Sequence, residues 1–215
     1  MRIVLMGPPG AGKGTQAKRV AEMFNMVHLS SGDILRAERG SGSELGRRLK
    51  TYMDAGELVP DATVVEIMAK AVAALPADKG LLLDGFPRTV AQGQALDAQL
   101  KQLNCPLQAV LVIDVEDAPL IKRITGRRSC PDCGRIYHTE YLRPAVENRC
   151  DACKASLTQR ADDTEKVVRD RLATYRRQTQ PVIAYYKDSG QRVIEIDGSA
   201  EPDEVTARVK QALQG

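Results

Sequence analysis

Residues 2–24 place three features in a row that few folds accommodate together. An apolar run, Ile3-Val4-Leu5-Met6, is followed by GPPGAGKGT at 7–15 and then by a helix-patterned segment from Lys13 to Phe24. A short strand with no polar alternation is buried on both faces, which places it in a parallel sheet with helices above and below. Gly7, Gly10, Gly12 and Gly14 let the backbone turn tightly between strand and helix and point several N–H groups inward. That concavity lies at the positive end of the following helix and suits a polyphosphate. Lys13 adds a point charge that can follow a phosphoryl group. The pattern G-x-x-x-x-G-K-[ST] fits from Gly7 to Lys13, but Gly14 holds the hydroxyl position and the hydroxyl comes one residue later, at Thr15.

The rest of the chain repeats the strand–helix alternation. Strands are expected at Arg2–Met6, Val27–Leu29, Gly80–Phe86, Ala109–Val115 and Arg192–Ile196. Helices are expected at Lys13–Phe24, Asp33–Arg39, Ser41–Ala55, Asp61–Leu75, Thr89–Leu103, Asp117–Gly126, Asp163–Tyr186 and Glu201–Leu213. Ser41-Gly-Ser-Glu44 has the form of a capping box, and Asp61 reads as the N-cap of the segment after Pro60. Pro181 is expected to bend the long helical stretch that contains it. The fold class is therefore α/β, a five-stranded parallel sheet flanked by helices. Two regions break the alternation, 30–60 with two short helices and 127–160 with little helical period. Both read as insertions near the carboxyl ends of the strands, where α/β proteins grip ligands.

With 43% apolar residues among 215 the chain can build a sizeable core, and two Phe, six Tyr and no Trp make that core aliphatic. A net charge of +3 is too small to argue for nucleic acid. No apolar run approaches the length of a signal-peptide core or a membrane span, so a cytoplasmic protein with no membrane association is expected.

Residues 127–160 hold Cys130-Pro-Asp-Cys133 and Cys150-Asp-Ala-Cys153, two CxxC pairs sixteen residues apart. Each pair can form one knuckle, and four thiolates can surround a tetrahedral ion. Zn2+ in a structural role is the expected occupant. Iron or cobalt fits the same ligands, and disulfides or a redox CxxC are the alternatives. Four cysteines leave no open coordination position for catalysis. His28 and His138 are read as packing or surface residues, and Cys105 as a small side chain without activation.

Asp84-Gly-Phe-Pro-Arg-Thr89 closes the third strand. An acid at a strand end beside a phosphate loop suits magnesium, held directly or through water. Together with GPPGAGKGT, these residues form a larger set: Ser31-Gly-Asp33 with Arg36, DGFPRT with Gln92, Arg123-Ile-Thr-Gly-Arg-Arg128, and Arg160-Ala-Asp-Asp163 with Arg171. The whole set resembles the adenylate kinases, and 127–160 resembles the long metal-binding lid of bacterial-type members. The resemblance implies the nucleoside-monophosphate-kinase fold with two inserted mobile subdomains. The core would be 1–29, 61–126 and 161–215, the AMP-binding insertion 30–60 and the lid 127–160.

By the same resemblance the reaction is reversible transfer of the terminal phosphoryl group from ATP, with Mg2+, to AMP, giving two ADP. Gly10, Ala11, Gly12, Lys13, Gly14 and Thr15 would hold the donor phosphates. Arg123 would lie against the donor adenine, Tyr137 would be a lid contact to ATP, and Arg127, Arg160 and Arg171 would close on the phosphates, the last two also reaching AMP. Arg36 and Arg88 would hold the AMP phosphate, while Ser31, Gly85 and Gln92 line its pocket with Gln92 reading the adenine edge. Lys13, Asp84, Arg88, Arg123, Arg127, Arg160 and Arg171 would form the catalytic set. Asp33 and Asp84 would order the water around magnesium, and Asp162 and Asp163 would hold the lid arginines. Ser31 stands where many relatives carry Thr, which keeps the hydroxyl. Ala161 replaces a Lys or Glu.

An inventory of arginines without a nucleophile suits phosphoryl transfer, which needs in-line positioning and charge neutralisation more than covalent chemistry. Other readings are a kinase that uses GTP or accepts UMP or CMP, and a nucleotide-binding module whose cysteine knot contacts nucleic acid. The long lid and Gln92 speak against a pyrimidine acceptor. Mixed charge and only Tyr137 and Tyr141 around the knot speak against nucleic acid. One chain carrying both nucleotide sites points to a monomer.

Overall fold

A computed structural model of the chain describes residues 1–76 and 78–214. Ala77 and Gly215, both within the expected core segments, lie outside the described residues. The main sheet has five parallel strands in the order β2 (Met26–Ser30), β3 (Gly80–Asp84), β1 (Arg2–Met6), β4 (Ala109–Asp114) and β7 (Val193–Asp197). The small β5 (Arg127–Ser129) and β6 (Ile136–His138) pair antiparallel outside it. The helices are α1 (Lys13–Met23), α2 (Ser31–Gly40), α3 (Glu44–Ala55), α4 (Asp61–Ala73), α5 (Val90–Gln102), α6 (Asp117–Thr125), α7 (Glu165–Thr174), α8 (Gln180–Asp188) and α9 (Pro202–Gln214).

Why the central strands lack polar alternation is visible in the two cores. Ile3, Leu5, Leu82, Leu111 and Ile113 face one side, against Ala17 and Val20 of α1, Leu120 and Ile124 of α6, Val168 of α7 and Val209 of α9. Val4, Met6, Leu81, Leu83, Val110 and Val112 face the other, against Leu49 of α3, Met68 of α4, Leu96 and Leu100 of α5 and Val182 of α8. Each fully buried aliphatic side chain stabilises the fold by about 1.5–3 kcal/mol, so covering both faces requires both to be apolar. Glu195 on the edge strand β7 shows the relaxation expected where one flank meets solvent.

Several boundaries differ from the expected ones for identifiable reasons. The third strand ends at Asp84 rather than Phe86, because Gly85 takes a positive φ of 74° and turns the chain out of the sheet. The third helix is capped by Ser43, whose hydroxyl accepts from the Gly46 amide at 2.8 Å, whereas Ser41 closes the preceding helix. The capping box read two residues too early. Asp61 is not a cap either: Pro60 holds that position without a side-chain bond, and Asp61 is the first helical residue. The long stretch 163–186 is interrupted by a π-helical turn at Tyr175–Thr179, with Pro181 just inside α8 after it. A proline has no N–H for the ladder, and the wider turn absorbs the interruption upstream of it.

Candidate active site

All five strands run to the same edge, and the functional side chains gather there. The loop after β1 is held open by two glycine conformations. Gly7 has φ 141° and sits so close to β4 that an added Cβ would lie 2.2 Å from the Ile113 carbonyl oxygen. Gly12, at φ 89°, begins α1 with no side chain capping it, so the first turn of the helix keeps donors for an anion. Lys13 folds back over the loop, its Nζ donating to the carbonyls of Gly7 at 2.7 Å and Pro8 at 2.9 Å. It is half-exposed to the solvent of the cleft, yet crowded by protein. Burial lowers its pKa to about 8, and nearby Arg88, Arg171 and Arg127 add to the effect while Asp84 opposes it. Asp84, at the end of β3 and only 8% exposed, looks toward the start of α1, its Oδ2 lying 3.8 Å from where a Cβ on Gly14 would be. His28 Nε2 stands 3.4 Å from the same oxygen.

A second wall is built from α2 and the turn after β3. Ser30 caps α2 by accepting from the Asp33 amide, and Asp33 pairs with Arg36 one turn on. Burial works against the charge on Asp33, but the hydrogen bond and charge of Arg36 outweigh it and hold the carboxyl below its usual range. The Gly85 carbonyl accepts from the Ser31 hydroxyl at 2.6 Å and from Arg88 Nε at 2.7 Å. Arg88 pairs directly with none of the described carboxylates. Burial, with Arg171 adding to it, lowers its pKa to about 10. Gln92 is 1% exposed, and its amide is engaged at both ends. Oε1 accepts from the Arg88 amide at 2.8 Å, and Nε2 donates to Asp61 Oδ1 at 2.8 Å. The Thr89 hydroxyl caps α5 and donates to the other oxygen of Asp61 at 2.9 Å.

Arginines from 127–171 close the third side. Asp163, fully buried, accepts a forked pair of bonds from Arg127 and lies 3.5 Å from Arg171. The Asp162 carboxylate pairs with Arg171 at 2.9 Å, and its backbone carbonyl accepts from the same guanidinium at 3.0 Å; burial raises the Asp162 pKa, but Arg171, Arg36 and Arg127 together bring it below the usual range. Arg160 pairs directly with none of the described carboxylates, and burial with Arg127 and Arg36 nearby lowers its pKa to about 10. One cleft is therefore lined by Lys13, Ser31, Arg36, Gly85, Arg88, Gln92, Asp162 and Arg171, with Thr174 at the end of α7 and Tyr175 and Thr179 of the π-helical turn also in the lining. Half-buried cations that are held by neutral carbonyls, or that pair with none of the described carboxylates, are an arrangement that suits an anion.

Of the expected nucleotide-site residues, Gly10, Ala11, Gly12, Gly14, Thr15, Asp33, Asp84, Arg127 and Arg160 fall outside this lining, and so do Arg123 and Tyr137, which are turned to other partners. Arg123 is turned to the carbonyls of Gly198 and Ser199, both at 3.2 Å, beside the cleft rather than in its lining. Tyr137 is 3% exposed and its hydroxyl faces the cysteines, accepting from the Asp151 amide at 2.7 Å and touching Cys150 Sγ at 3.5 Å. That hydroxyl does not suit a contact to nucleotide. Asp61 and Thr89, which hold Gln92, were not singled out for the site from the sequence. Their partners are 28 and 31 residues apart in the chain, and no local pattern marks them.

The four cysteines form a separate cluster. Their Sγ atoms all lie within 4.8 Å of one another, the nearest two 3.3 Å apart, far beyond a disulfide bond. The two knuckles share one design. Gly134 and Lys154 each take a positive φ, 67° and 65°, and each donates its amide to the first cysteine of its pair, at 3.1 and 2.9 Å. Four sulfurs converging on one point in this way could hold a metal ion by their donor chemistry. Among the described residues no helix is long and apolar enough to cross a membrane.

Comparison with known proteins agrees in one direction. The adenylate kinase family description matches residues 5–191. An adenylate kinase of Methanocella arvoryzae is 49% identical over 214 residues, covering 100% of this chain and 99% of its own. One from Archaeoglobus fulgidus is 44% identical over 214 residues, 100% of this chain and 98% of its own. One from Clostridium botulinum is 47% identical over 213 residues, 99% of this chain and 98% of its own.

Proposed function

The chain belongs to the adenylate kinase family and converts ATP and AMP to two ADP, and we propose the following division of labour within its cleft. The glycine loop with Lys13 holds the donor phosphates. Arg36 and Arg88 hold the AMP phosphate, Ser31 and Gly85 shape its pocket, and Gln92 reads the adenine. An oxygen of the AMP phosphate attacks the terminal phosphorus of ATP in line as the bond to the β-phosphate oxygen breaks, with no covalent enzyme intermediate. Arg88, Arg160, Arg171 and Arg127 face the group in transit and neutralise charge on its oxygens. The observation that carries this reading is the set of half-buried cations, Lys13, Arg88 and Arg160, that pair directly with none of the described carboxylates and gather at a single cleft.

Mg2+ accompanies ATP in this family and supplies further neutralisation. Asp84, aimed at the start of α1, and Asp33 are the residues that would order its water. Residues 30–60 would close over AMP and 127–160 over ATP, excluding the water that would otherwise hydrolyse the donor. Arg123, beside the 198–199 carbonyls, would flank the donor adenine. Zn2+ is the ion we assign to the four cysteines. A tetrahedral zinc with bonds of about 2.3 Å to sulfur requires sulfur separations of about 3.8 Å, close to those observed. It would have a structural role alone, since four thiolates leave no open position. A monomer working in the cytosol completes the reading. The test is formation of ADP from ATP plus AMP against ATP alone; turnover that does not depend on AMP would overturn it.

A further inference from the structure

We infer that Asp61 sets the direction of the Gln92 amide and so decides which purine the acceptor pocket takes. The inference rests on the reading of Gln92 as the residue that meets the acceptor base. A glutamine amide presents a donor and an acceptor side by side, and turning it over exchanges them. A 6-aminopurine offers a donor at N6 and an acceptor at N1, whereas a 6-oxopurine offers the reverse. The direction of one amide therefore separates the two classes, provided that something prevents it from turning.

Asp61 and the Arg88 amide prevent it. Oδ1 of Asp61 takes the Nε2 hydrogen of Gln92 at 2.8 Å, and the Arg88 N–H is taken by Oε1 at 2.8 Å. If the amide were turned, its oxygen would face a carboxylate and its NH2 would face an N–H, so both contacts would become repulsive in a nearly dry site. Each end still has one hydrogen or lone pair left for a ligand, with Oε1 as acceptor and Nε2 as donor. That combination fits the 6-amino edge. The Asp61 carboxylate is itself fixed by the Thr89 hydroxyl at 2.9 Å, and Thr89 caps the helix that carries Gln92. Asp61 begins α4, at the point where the 30–60 insertion rejoins the core, yet its carboxylate leaves its own helix end uncapped to make these contacts. Asp61 is thus a positioning residue, acting on the base through Gln92.

The test compares AMP with IMP as acceptor, using kcat/KM on one preparation of each variant, so that the ratio does not depend on the fraction folded. Asp61→Asn can present either an oxygen or an NH2 to Gln92, so that only the Arg88 N–H still favours one direction of the amide. It is expected to lower the AMP-to-IMP ratio at least tenfold while KM for ATP stays within twofold. Asp61→Glu keeps an acceptor-only partner and is expected to keep most of the preference. A ratio unchanged in Asp61→Asn but collapsed in Gln92→Leu would overturn the role of Asp61 alone. A ratio unchanged in both would remove Gln92 as reader of the base, and the inference with it.

Discussion

Raising the pH from 7 to 9 titrates one group at the base of the cleft, and the response can be worked out from its surroundings. Lys13 has a pKa of about 8 in the free protein, lowered by burial and by the neighbouring arginines. Polyphosphate bound in the loop adds several negative charges against its ammonium, which raises that pKa and ties ATP binding to proton uptake. At pH 7 about 0.1 proton is taken up per ATP, and at pH 8.5 about 0.75, from the fraction of Lys13 that is neutral beforehand. The sign follows directly: the bound state holds the proton more tightly, so affinity is full below pH 8 and lost above it. The dissociation constant of ATP rises about tenfold between pH 7 and pH 9. Phosphate monoesters lose their last proton near pH 6, so the ligand contributes little at the upper end. Calorimetry at pH 8.5 in two buffers of different ionisation enthalpy measures the uptake, with Lys13→Met as the variant in which the pH dependence disappears. An uptake below about 0.2 proton at pH 8.5 would refute the argument.

Three further outcomes are expected. Asp163→Asn keeps the shape but leaves Arg127 and Arg171 facing an uncharged amide. Because those arginines retain 19% and 23% exposure, the loss falls at the low end for a broken buried pair, about 3 kcal/mol or roughly 6–12 °C in Tm by thermal denaturation; a fall under 2 °C would contradict it. Arg88→Lys loses the Nε–H that Gly85 holds and the planar fork, and should lower kcat with AMP by roughly a thousandfold, whereas a steady-state loss within tenfold would exclude a role in the transition state. Removing the metal with a strong chelator, or Cys150→Ser, should make 127–160 sensitive to protease and lower Tm while the core stays folded. The reason is that the apolar core of this segment is small, Cys130, Tyr137, Cys150 and Leu157 with Ala155 packed against them, and is separate from the two cores of the sheet. Unchanged metal content and Tm in Cys150→Ser would refute that dependence.

Strand positions, the glycine loop and the cysteine knuckles were legible because each is local: an uninterrupted apolar run, a glycine spacing, two CxxC pairs. Helix ends were read less well where several hydroxyls compete, and Ser43 rather than Ser41 took the cap because only it has the extended backbone that aims a hydroxyl at the Gly46 amide. Membership of the family was legible as well, since its motifs are short and ordered along the chain. What those motifs cannot carry is who neutralises whom.

On its own, the chain determined that strands buried on both faces would meet at one edge, that a glycine-rich loop would open there, and that four cysteines would converge between residues 130 and 153. These follow from burial, backbone freedom and ligand chemistry, which act over a few residues. Only the tertiary structure decided that Asp163 clamps Arg127 from 36 residues away, that the Tyr137 hydroxyl faces sulfur, and that Asp61 holds Gln92 instead of capping its helix. A carboxylate accepts from whichever donor the fold brings within about 3 Å, and that distance is set by the packing of whole elements.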